Sequence, residues 1–119
     1  LVRSLQTTDA PYASGDVTVA PWWASMTATV GRTIAASVPG AYVQVVGYTD
    51  NVPAGAISRG NNQALSEARA REVARIFAAA GVPMQNISAT GQGDADPLAD
   101  NGTAPGRSRN RRVEVTVSN

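Results

Sequence analysis

One helix constrains the fold more than any other stretch of this chain. Residues 62–80 carry apolar side chains at helical spacing, and Gly81 followed by Pro83 supplies the usual helix stop. With Leu65 set at zero and about 100° per residue, Ile76 falls at about 20°, Ala80 at about 60°, Val73 at about 80° and Phe77 at about 120°. Arg69 falls at about 40°, in the middle of that apolar stripe, whereas Glu67, Arg71 and Arg75 fall on the far side. A charge on a core-facing stripe needs a partner or a cleft, because burying it alone is very costly. The residues alone leave three explanations open. The stem packs while the head reaches water, or the head forms an internal ion pair, or it meets a ligand.

The stretch before this helix ends in the opposite charge. Residues 42–48 read as a strand, with Val43, Val45 and Val46 in a nearly continuous apolar run and Gly47 marking a close backbone approach or a bulge. Thr49 and Asp50 then stand at the strand's carboxyl end, where open α/β sheets place ligand groups. Residues 51–61 form a loop broken by Pro53, Gly55 and Gly60, and Asn61 or Asn62 caps the helix. A carboxylate and a guanidinium set side by side complement a zwitterion that carries an ammonium and a carboxylate on one carbon.

The remaining elements are the scaffold of this pair. Pro21 opens a helix that places Trp23, Met26, Val30 and Ile34 on one face, with Trp22 at its edge. Gly31 weakens that helix, and Pro39-Gly40 ends it. Residues 86–93 read as a short strand and residues 94–109 as a long polar loop. In the last strand, residues 111–117, Val113, Val115 and Val117 face one way and Arg112, Glu114 and Thr116 the other. The same alternation puts Arg111 on the valine side. Asp16-Val-Thr-Val19 alternates like a further short strand, so residues 1–15 are read as a linker or edge segment and residues 16–119 as the domain.

Composition excludes several functions. With 119 residues the chain is one domain, and it has no run of about 18 apolar residues that would span a membrane. Leu1 in place of an initiating methionine points to a piece of a longer chain. Histidine and cysteine are absent, which removes the commonest general base, the thiolate nucleophile and the usual zinc ligands. Ser58 and Ser66 have no histidine to activate them, and no second carboxylate lies near Asp50 in sequence, so no enzymatic activity is expected. Asp94, Asp96 and Asp100 imitate a calcium loop, but Pro97 breaks the spacing and the closing Glu is missing. Neither a metal nor another cofactor is expected. Arg107, Arg109, Arg111 and Arg112 lack aromatic stacking partners, and the net charge is only +1, which argues against nucleic acid.

A series of motifs in order carries a family resemblance over residues 17–117. Gly47-Tyr-Thr-Asp50, Asn62-Gln-Ala-Leu-Ser-Glu-Ala-Arg-Ala70, Ile87-Ser-Ala-Thr-Gly-Gln-Gly93, Pro97, Asn101 and Gly106-Arg107, and Asn110-Arg-Arg-Val-Glu114 resemble the OmpA-like peptidoglycan-binding domain. Tyr48 stands where many members carry His, although the tyrosine form also occurs in the family. The resemblance implies an α+β fold: a two-layer β-α-β-α-β-β sandwich whose mixed four-stranded sheet is backed by helices. It implies non-covalent binding of peptidoglycan through the meso-diaminopimelate of the stem peptide. Asp50 and Arg69 would hold the amino-acid end of that residue, supported by Thr49, Asn62, Leu65, Arg111 and Val113. It also implies a periplasmic location and a tether to the inner or outer membrane through sequence outside these residues. The implied partners are peptidoglycan and other envelope-complex subunits, with room for a homodimer. Loop 51–61 is longer than in porin members. Its Thr49-Asp-Asn-Val-Pro53 opening resembles the flagellar stator and type VI secretion subgroups, and Val38-Pro-Gly40 resembles the extended TssL-type (DotU-related) proteins. The alternative reading is a periplasmic assembly module of a secretion or motor complex that binds the wall little.

Overall fold

Valine alternation builds the centre of the sheet. The structure is a computed structural model that describes residues 2–6, 21–51, 62–95 and 97–118. Strand β2 (Tyr42–Gly47) buries Val43 and Val45, and β4 (Val113–Ser118) buries Val113, Val115 and Val117, while the residues between them face away. β4 runs antiparallel to β2 on one side and to β1 (Val2–Gln6) on the other. β3 (Ile87–Gly91) lies parallel to β2, which gives the order β1-β4-β2-β3. A parallel pair needs a crossover, and α2 (Asn62–Ala79) supplies it. α2 packs on β2 and β3, and α1 (Pro21–Ser37) packs on α2. The expected mixed four-stranded sheet backed by helices is therefore present. The Asp16–Val19 alternation and the side chains of Trp22 and Trp23 lie outside the described residues.

Two expectations are corrected. The long polar loop contains a third helix, α3 (Ala104–Asn110), so the observed order is β-α-β-α-β-α-β. Its signals are local. Thr103 caps the start by accepting a hydrogen bond from the Gly106 amide, and a proline sits in the first turn, where its missing N–H costs nothing. The face of α1 is also rotated from the expected one. Met26 is 51% exposed, whereas Thr27, Gly31 and Ile34 are buried. The cause is Gly31, where an added Cβ would stand 2.9 Å from both Ala80 Cβ and Phe77 Cδ1. The two helices touch through this glycine, so the side of α1 that carries it turns inward.

A second glycine contact sets α2 against the sheet. A Cβ at Gly47 would fall on the Ser66 carbonyl oxygen, and one at Gly91 would fall on the Ser66 hydroxyl. Both strands thus lack a side chain where the first turns of α2 cross them. Ser66, Arg69 and Ala70 are all fully buried at this seam. We expect Gly47→Ala to cost about 3 kcal/mol in a urea unfolding experiment, because the clash is with backbone that cannot rotate away. Gly40→Ala is the comparison. Gly40 has open space but φ 79°, so it should cost only about 1 kcal/mol.

Candidate functional site

The chain continues past the end of β2 without leaving the interior. Tyr48, Thr49 and Asp50 are 8%, 3% and 3% exposed. Two amides hold this extension after strand pairing stops. Tyr48 N–H donates to the Arg112 carbonyl at 2.9 Å, and Thr49 N–H donates to the Gly93 carbonyl at 2.8 Å. The Thr49 hydroxyl donates to the Asp50 carbonyl oxygen at 2.8 Å. A buried carboxylate is thereby fixed at the carboxyl end of the parallel strand pair.

Two guanidinium groups reach this end from different elements. Arg69 is fully buried in α2 and donates from Nη1 to the Tyr48 carbonyl at 3.3 Å. Arg111 donates from Nη1 to Asp50 Oδ2 at 2.8 Å, with side-chain exposures of 16% and 5%. A charge-assisted bond of this length is among the stronger kinds. Asp50 thus has Arg111 among its partners, and Arg69 has the Tyr48 carbonyl. Strand alternation does not account for the position of Arg111. β4 begins at Val113, and Arg111 is instead the C-cap of α3, with its amide bonded to the Arg107 carbonyl. The end of the short helix aims this side chain at Asp50.

Asn62 adds a feature that sequence alone could not show. At the start of α2, its Nδ2 lies 3.4 Å from the Asp50 carbonyl oxygen. Among the described residues its buried Oδ1 finds no hydrogen-bond donor. An unpaired buried acceptor costs about 1–3 kcal/mol, and a donor brought by a ligand would relieve it. The other two expected residues are structural neighbours of the site. Leu65 is 4% exposed on α2, and Val113 is fully buried and pairs in register with Gly47.

Three residues outside the expected set hold the site in place. The Ser66 hydroxyl donates to the Gln63 carbonyl at 2.8 Å and accepts from the Gly93 amide at 2.9 Å, which ties α2 to the turn after β3. Asn110 is fully buried. Its Oδ1 accepts from the Leu98 and Ala99 amides, and its Nδ2 donates to the Ala99 carbonyl and Asn101 Oδ1, all within 3.0 Å. Arg112 shares the side of Glu114 as alternation predicts, with Nε donating to Glu114 Oε2 at 2.7 Å. It is nevertheless 1% exposed, because its guanidinium stacks 3.8 Å from the centroid of the Tyr48 ring. Local pattern gives such a residue as a solvated charge, and only the position of Tyr48 reveals otherwise.

The fold and the motifs define one class of protein. Residues 13–111 match the OmpA family, and the chain belongs to it. It is 48% identical over 75 residues to the outer-membrane lipoprotein YfiB of Pseudomonas aeruginosa, covering 63% of this chain and 42% of that protein. It is 44% identical over 80 residues to the peptidoglycan-binding protein ArfA of Mycobacterium tuberculosis, covering 67% of this chain and 23% of ArfA. The chain thus spans less than half the length of either relative. Among solved structures, it resembles the cell wall anchor of the type VI secretion system from Pseudomonas aeruginosa. That likeness has a TM-score of 0.85 at 32% identity and covers 98% of this chain and 80% of that one. A MotB-like protein from Desulfovibrio vulgaris aligns with a TM-score of 0.83 at 32% identity, over 98% of this chain and 73% of its own. Among the described residues no helix is long and apolar enough to cross a membrane.

Asn110→Ala should lower stability by about 3 kcal/mol in chemical denaturation, because it leaves two amides and a carbonyl of the α3 approach without partners. Asn110→Asp keeps the acceptor for both amides but buries a charge and sets its second oxygen against the Ala99 carbonyl and Asn101 Oδ1, so it should destabilise at least as much as the alanine variant at neutral pH.

Proposed function

We propose that this domain binds peptidoglycan non-covalently through the free amino-acid end of meso-diaminopimelate in the stem peptide. The observation that carries the reading is the buried Asp50 carboxylate at a strand end that also gathers two arginines, where Asn62 bonds the Asp50 main-chain carbonyl and brings a buried Oδ1 that finds no donor among the described residues. The ligand ammonium would sit against Asp50 and Asn62 Oδ1. Its carboxylate would take the guanidinium of Arg69, with Thr49, Leu65, Arg111 and Val113 shaping the surround. Arg111 already occupies Asp50 in the described state, so the ligand's ammonium has to share or displace that bond. This exchange lowers the net gain from each contact, and the expected affinity of one site is about micromolar to millimolar. Retention on the wall then comes from many sites acting together.

The relatives support the wider assignment. One is named for peptidoglycan binding, and one similar structure is a cell wall anchor of a type VI secretion system. By this reading the domain, residues 16–119 with 1–15 as its edge segment, anchors an envelope complex to the wall from the periplasm. Sequence beyond these residues would tether it to a membrane, other subunits of the complex and a second copy would be its partners, and it would catalyse no reaction. A second reading, an assembly module that no longer binds wall, draws on a different observation. Asp50 and Arg69 are 3% and 0% exposed, so a ligand cannot reach them without local opening.

Co-sedimentation with purified sacculi separates the two readings. The wild type should pellet, and free meso-diaminopimelate should release it. Asp50→Ala and the isosteric Asp50→Asn should each weaken pelleting by about tenfold or more, as expected for the loss of one charge-assisted contact. Arg69→Ala should do the same, with a thermal melt to establish that the buried position still permits folding. A wild type that stays in the supernatant favours the assembly module. Folded Asp50 variants that pellet like the wild type would refute the site assignment.

A further inference from the structure

The charges gathered at the carboxyl end of β2 are mostly positive. Among the described residues Asp50 is the only buried acid. Arg69 and Arg111 both reach this strand end. A third guanidinium lies close by. Arg107 precedes Arg111 by one turn of α3, and the Arg111 amide bonds the Arg107 carbonyl at 3.1 Å. Side chains four residues apart on a helix share a face, with Cβ atoms about 5–6 Å apart. Arg107 is half-buried, and its Nη1 donates to the Asn101 carbonyl at 3.0 Å, which fixes the head without neutralising it.

The described carboxylates do not answer this excess. Arg107 makes no ion pair among the described residues. Glu67, Glu72 and Glu114 pair with Arg71, Arg75 and Arg112, and Asp94 and Asp100 are exposed. The sequence between Asp50 and Asn62 contains no acid and adds Arg59. An amino-acid end carries one charge of each sign, so seating it on Asp50 and Arg69 leaves the excess as it was. It also draws Arg111 off a partner. A ligand ammonium that takes over Asp50 displaces the Arg111 guanidinium, whose side chain is only 16% exposed. A cation moved away from its carboxylate in so buried a place needs another anion. A second carboxylate on the ligand supplies one, and the planar fork of an arginine matches it.

We propose that this end of the domain recognises two parts of the stem peptide. The amino-acid end of diaminopimelate sits on Asp50 and Arg69, and a further carboxylate of the stem backbone sits on Arg111 and Arg107. Two groups of the stem offer that carboxylate: the α-carboxyl of the γ-linked glutamate before diaminopimelate, and the carboxyl terminus. Arg107 is then a specificity residue that separates a free carboxylate from its amide. The inference rests on the stem-peptide reading above.

Calorimetric titration with four synthetic forms of the stem tetrapeptide tests it. One form has both backbone carboxylates free, two carry a single amide at the glutamate or at the terminus, and one carries both amides. The free end of diaminopimelate is unmodified in all. The wild type should bind the free form about tenfold tighter than the double amide, as expected for one charge-assisted contact. The single amide that binds like the double amide identifies the carboxylate. Arg107→Gln should bring the ratio of free form to double amide close to one, and Arg107→Lys should leave it in between. Arg109→Gln, exposed and about 200° round α3 from Arg107, should keep the wild-type ratio. A ratio taken within one variant does not move with a general loss of stability. The proposal is overturned if the wild type binds the free form and the double amide equally, a comparison that needs no variant to fold. It is also overturned if Arg107→Gln keeps the full ratio, or if Arg109→Gln lowers it as much. A wild type that binds none of the four forms refutes the stem-peptide reading and this inference with it.

Discussion

The contact between α2 and the two glycine-bearing strands is the constraint on which the rest depends. With no side chain at Gly47 or Gly91, the backbone of α2 lies directly on β2 and β3 at Ser66. This close approach allows Arg69, one turn further on, to deliver a guanidinium to the Tyr48 carbonyl at the strand end while its stem stays in the core. It also lets the Ser66 hydroxyl hold the Gly93 amide, and Gly93 in turn holds Thr49. The approach of one helix therefore positions both the carboxyl-end carboxylate and the arginine beside it.

Three arginines near that end do different physical work. Arg69 is buried along its length by the helix seam, Arg111 is aimed from the end of α3 at Asp50, and Arg112 is clamped between Tyr48 and Glu114. Burying charge is costly, and each case is compensated by a specific partner, which fixes the three side chains in distinct places. The site's opposite charges are thus held by the protein itself before any ligand arrives. Strong preorganisation and weak single-site binding are compatible here, since a ligand exchanges with contacts that already exist.

Much of this was legible before the structure. The angular position of Arg69 separated it from Arg71 and Arg75, and it is fully buried while Arg71 and Arg75 are exposed. The three main strands and two long helices fall within a few residues of the expected bounds, because their apolar periods are clean. Other features were not legible. α3 is seven residues of mostly polar sequence with no apolar stripe, so only its cap and proline could have signalled it. The inward face of α1 turned on Gly31, whose helical cost is visible in sequence but whose packing role depends on Phe77 and Ala80 in another helix. Alternation put Arg112 on the side away from the valines, and nothing near it in sequence announces the Tyr48 ring on which it is buried.

The sequence by itself determined the periodic elements, the misplaced charge of Arg69 and the carboxylate at the end of β2. These follow from local spacing and from the cost of burying charge, which act within a dozen residues. Tertiary structure alone decided that Arg111 bonds Asp50, that Asn62 brings to the Asp50 main chain a buried acceptor with no donor among the described residues, and that Arg112 stacks on the Tyr48 ring. Those outcomes depend on strand register and on contacts between residues as far apart as Asp50 and Arg111, where short-range pattern carries no information.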